Sequence, residues 1–138
     1  MTPNPEQSER ILALAARVEA ADGPNYALEV EIFKELHPEF AEYVQGRGGL
    51  VHPCDGSDVR VPSDVRPGNY TASIDAAVRL VPEGWCWTIN TFGEPNDSAS
   101  AYVLAETGKM VRPERQYIAT PALALCAAAL RARAGDGA

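Results

Sequence analysis

Ile11, Leu14, Ala15 and Val18 recur at helical spacing, and Glu9, Arg10, Arg17 and Glu19 fall mostly off that stripe. This pattern predicts an amphipathic first helix. Asn4 is placed to cap it, Pro5 suits its first position, and Gln7 stands where a capping-box partner would. Gly23-Pro24 ends it. A second helix follows from Asn25, with Leu28, Ile32, Phe33 and Leu36 on its buried stripe. His37-Pro38 interrupts it, because the residue before proline avoids the helical region. Glu39 to Val44 is expected to add one more turn, with Phe40 and Val44 inward.

From Gly46 the period changes. Leu50-Val51 and Val59 to Val61 read as short strands around Asp55-Gly56, a hairpin signal. Pro53 and Pro62 hold them near an edge. A third helix begins at Thr71 or Ser73, with Ile74, Ala77, Val78 and Val81 apolar, and stops at Pro82 and Gly84. Trp85 to Asn90 is a strand with Trp85, Trp87 and Ile89 on one face and Phe92 on the other. After a loop from Gly93 to Ser98, Ala101 to Ala105, the turn Thr107-Gly108 and Lys109 to Arg112 complete an antiparallel meander.

The last helix is capped by Thr120, opened by Pro121 and followed by Gly135. Its sequence ALALCAAALRARA is apolar or small on nearly every side, so it is expected to be buried on more than one face. Arg131 and Arg133 complement its carboxyl end. The order ααββαβββα predicts a single α+β domain over residues 1–138, an antiparallel sheet sandwiched between helices.

Composition narrows the function classes. The 138 residues are 46% hydrophobic, enough for a core without a staple. The net charge of −7 opposes direct nucleic-acid binding and leaves a basic partner open. The three cysteines are widely spaced with no Cys-x-x-Cys, which favours a reducing cytosol. No basic-then-apolar leader is expected, and no apolar run reaches the roughly 20 residues of a membrane span.

Candidate chemistry is sparse. His52, Cys54 and Asp55 share one turn, but a structural zinc site needs four ligands and no second pair has a recognisable spacing. Cys126 and Cys86 are expected in the core, and the glutamates of the first two helices on a solvated face. Gln45 to Gly49, with Arg47 and Gly48, could form a backbone nest for phosphate, yet lacks the Gly-Lys-Ser/Thr ending of a P-loop. Glu94, Asp97 and Glu106 show no readable pairing. Trp85 and Trp87 are expected in the core; were one exposed, it could stack a base, with Tyr102, Arg112 and Arg115 as neighbours. Those five side chains, with Arg47 and Gly48, form the candidate ligand-binding set; no catalytic residue, metal ligand or cofactor is assigned.

Three stretches carry a resemblance. YTASIDAAVRLVPEGWCWTI (Tyr70 to Ile89), ATPALALCAAALRARA (Ala119 to Ala134) and RILALAARVEAADGPNYALEVEI (Arg10 to Ile32) are similar to small proteins grouped as the phage αβα-sandwich (ABA sandwich) domain. The resemblance implies a sheet between helices and a temperate-phage or alphaproteobacterial prophage source. It brings no catalytic residues, because the shared motifs are caps, stops and packing strings.

The leading expectation is therefore a non-enzymatic phage or prophage accessory protein in the host cytoplasm. It would bind a host component and antagonise bacterial immunity, in the manner of an anti-CRISPR or other anti-defence protein. The alternative is a module, such as a homo-oligomer, that sequesters a nucleotide signal. A small enzyme built on His52, Cys54 and Asp55 ranks third.

Overall fold

The computed structural model describes residues 4–38, 44–46, 49–51, 69–92 and 98–135. Its elements are α1 (Pro5–Ala20), α2 (Tyr26–Leu36), β1 (Val44–Gly46), β2 (Gly49–Val51), α3 (Ile74–Val78), β3 (Cys86–Phe92), β4 (Ser98–Leu104), β5 (Met110–Val111) and α4 (Pro121–Gly135). The fold is α+β, with four helices and a three-stranded antiparallel sheet β3-β4-β5 among the described residues. This is consistent with the expected sandwich, and the helices and the β3-β4-β5 meander follow the predicted order. No helix among the described residues is long and apolar enough to cross a membrane.

The caps form as expected. Asn4 Oδ1 accepts from the Gln7 N–H at 2.8 Å, and Asn25 Oδ1 from the Leu28 N–H at 3.1 Å. Ser73 caps α3, and Thr120 Oγ1 accepts from the Leu123 N–H. Each satisfies one of the donors a helix start leaves unpaired. Gln7 departs from the capping-box expectation: its side-chain amide donates to the Glu35 carbonyl and so ties the start of α1 to the end of α2.

The core is organised around α4. Every residue from Ala122 to Leu130 is buried, because α1, α3 and the sheet all pack against this one helix. Seven alanines along it let those neighbours approach closely. Leu123, Leu125 and Leu130 fill the gaps, and burying each contributes about 1.5–3 kcal/mol. Arg133 reaches out to the end of α3, donating to the Leu80 and Arg79 carbonyls.

Other expectations need correction. Val44 lies in a strand, not a helical turn, and β1 pairs with β2 in the register Val44↔Val51, Gln45↔Leu50, Gly46↔Gly49. The partner of Leu50-Val51 is therefore the preceding segment; Val59 to Val61 lie outside the described residues. Helix α3 spans only five residues and buries Ala76 and Ala77, with Leu80 just beyond, while Ile74 is exposed. Glu19 and Glu29 are buried, at 3% and 5% exposure, rather than solvated.

Candidate functional site

Strand register sorts the two faces of the sheet. Trp87, Ile89 and Thr91 pair with Val103, Ala101 and Ala99, and those β4 residues are buried on the face that meets α4. Cys86, Thr88, Asn90 and Phe92 pair with Leu104, Tyr102, Ser100 and Ser98. By the two-residue period these share the opposite, outer face.

The outer face holds a groove of about 470 Å³, lined by Asn90, Phe92, Ser100, Tyr102, Arg112 and Arg115 among others. The Arg112 guanidinium carbon lies 5.7 Å from the Tyr102 ring centroid, within cation–π range. Its Nε points to the Met110 sulfur at 3.2 Å. Arg112 has no carboxylate partner among the described residues. Beside the groove, Phe92 and Tyr117 form an edge-to-face pair with centroids 5.2 Å apart, and both are exposed. The antiparallel bridge Ala99↔Ile118 fixes Tyr117 there, with backbone bonds of 2.8 and 2.9 Å.

The groove wall is anchored from the far side of the core. The Glu114 N–H donates to Glu19 Oε2 at 3.3 Å, and Arg115 donates from one guanidinium nitrogen to the Glu19 carbonyl at 3.2 Å. Arg115 therefore helps to hold the loop while also lining the groove beside Arg112.

The structure brings Tyr102, Arg112 and Arg115 together and leaves the tryptophans out. Trp85 is half-buried against the core and lines a separate cavity of about 420 Å³ with Glu83 and Lys109. Trp87 is 42% exposed rather than core: its register faces α4, but it sits near the end of β3. Arg47, Gly48, His52, Cys54, Asp55, Glu94 and Asp97 lie outside the described residues. Glu106 is exposed in the β4–β5 turn. A third hollow, between α1 and α2, is crossed by the ion pairs Arg10–Glu35 at 2.9 Å and Arg17–Glu31 at 2.7 Å.

Neither described cysteine belongs to the groove. Cys86 is exposed, contrary to the core expectation: it does point opposite the tryptophans, but that direction is the outer face. Cys126 is fully buried, and burial, helped by the Glu29 carboxylate, pushes its thiol far up and keeps it protonated. Among the described residues no group of three or more His, Cys, Asp or Glu side chains is gathered as a metal site would be.

Sequence reasoning missed Asn90 and Ser100, the polar pair between Phe92 and Tyr102. The signal was present: the period that sets Phe92 opposite the tryptophans also sets Asn90 there. Comparison with known families, curated proteins and solved structures yields no match to this chain.

Proposed function

We propose that this protein works by capture rather than catalysis, holding a target in the outer-face groove of its sheet. The observation that carries the reading is the meeting, over a polar floor, of Tyr102 and an Arg112 without a carboxylate partner among the described residues. An aromatic face, a guanidinium fork and an amide are recognition groups. No described side chain in the groove pairs a nucleophile with a base, the arrangement covalent catalysis requires.

The setting we propose is that of a phage or prophage accessory protein that removes a host component, with bacterial immunity as the process opposed. The likeness of Tyr70 to Ile89 and Ala119 to Ala134 to phage sandwich proteins supports this setting. So does the net charge of −7, which suits a protein that does not coat nucleic acid.

The test is capture from bacterial extract by the purified chain, read by native mass spectrometry, beside Tyr102→Ala and Arg112→Ala. A species held by the parent and lost by both variants supports the reading. A species held equally by all three removes the groove from it. Expression in a host with an active defence system should raise phage plating efficiency, and an unchanged efficiency would remove the anti-defence setting.

A further inference from the structure

We propose that the ligand of this groove is a nucleoside monophosphate or a close relative: one planar base joined to one phosphate. The inference rests on the capture reading above and names its chemical class.

Size comes first. About 470 Å³ falls within the span of small-molecule sites, roughly 300–1,000 Å³. Shape comes second. Phe92 is paired with Ser98, four residues before Tyr102 on β4, so the two aromatic positions stand roughly 13 Å apart along the strand. Between them lie the smaller side chains of the Asn90↔Ser100 pair. A flat ring entering this slot has an aromatic side chain at either end to stack on, and base–aromatic stacking is worth about 1–3 kcal/mol.

Chemistry supplies the rest. The Asn90 amide offers a donor and an acceptor side by side, matching the edge of a base. The Arg112 guanidinium presents a fork suited to two phosphate oxygens. Its cationic neighbour Arg115 is engaged with the Glu19 carbonyl, and Glu114 adds a negative charge to the same wall. The two guanidinium groups and the one carboxylate among the described lining residues leave the groove a net charge of about +1, which matches one phosphate better than a triphosphate or a nucleic-acid strand. The overall charge of −7 disfavours a polyanion further.

The experiment is calorimetric titration of the full chain with AMP, GMP, CMP, UMP, ATP, adenosine and inorganic phosphate. At least one monophosphate should bind at one per chain. Adenosine, phosphate and ATP should each bind it at least tenfold more weakly. Arg112→Ala and Tyr102→Ala should each weaken binding tenfold or more without shifting the thermal midpoint by more than a few degrees. Arg112→Lys should restore part of the loss, and Trp87→Ala, on the opposite face, should leave affinity unchanged.

Absence of heat with all four monophosphates overturns the ligand class, as does binding that ignores Arg112 and Tyr102. If the extract species is still captured in a Tyr102- and Arg112-dependent way, the ligand class falls alone and an acidic peptide becomes the next probe. If that capture is also indifferent to both residues, the capture reading falls with it.

Discussion

Glu19 of α1 and Arg131 of α4 form an ion pair inside the protein, at 3% and 12% side-chain exposure. The same Glu19 oxygen accepts from the Glu114 N–H, so one carboxylate joins α1, α4 and the loop that walls the groove. Removing Arg131 alone strands a buried charge. Arg131→Met should cost about 3–5 kcal/mol in urea unfolding, and the double variant Glu19→Leu/Arg131→Met should recover most of that loss. A double variant no more stable than the single one would show that the pair contributes more than it costs to bury.

Thr71 closes a second buried polar contact. Its hydroxyl donates to Glu29 Oε2 at 2.6 Å and accepts from the Asn25 N–H at 2.8 Å, while its own N–H donates to Glu29 at 3.0 Å. Thr71→Val keeps the shape and removes the hydroxyl. The loss should be about 1.5–3 kcal/mol, because the bond removed is to a buried carboxylate. Thr71→Ser should retain most of the stability, and a larger loss for Ser than for Val would assign the effect to packing.

These two contacts mark what the sequence could convey. The helix starts were legible because Asn4, Asn25, Ser73 and Thr120 act within three residues of themselves. The burial of α4 was legible because its apolar residues leave no polar side. Glu19 and Glu29 were misread because their partners, Arg131 and Thr71, are 112 and 42 residues away. In the groove, Tyr102 and Arg112 were named together, but with the tryptophans. Period two separates the faces of a strand without saying which face a helix will cover.

The cysteines should separate by reactivity. In the native protein a thiol reagent should modify Cys86 quickly and Cys126 only after denaturation, as read by peptide mass spectrometry. Burial, then the Glu29 charge, raises the Cys126 thiol above its ordinary value of 9.0. The folded state therefore binds that proton more tightly than the unfolded one. This stabilisation is complete below the unfolded value and is lost as pH rises past it. Between pH 9 and pH 10 the parent should lose about 1 kcal/mol more than Cys126→Ala. Parallel stability profiles for the two would contradict the burial argument.

Gly108 turns β4 into β5 at φ +93, with its N–H donating to the Ala105 carbonyl at 2.9 Å. A Cβ there would meet nothing within 4 Å, so Gly108→Ala tests backbone strain without a clash. The left-handed conformation should cost alanine about 1–2 kcal/mol.

Ala128 makes the opposite test, where space rather than backbone decides. It is fully buried midway along a helix packed by α1, α3 and the sheet, so a larger side chain has no solvent side to turn toward. Ala128→Leu should destabilise by about 1–3 kcal/mol or more, since the neighbours must move to admit it. Ala20→Leu, at the exposed end of α1, adds the same atoms where they meet water and should stay within about 0.5 kcal/mol of the parent. Paired urea titrations give both values. If Ala128→Leu matches Ala20→Leu, α4 has an open side and the three-sided packing described for it is wrong.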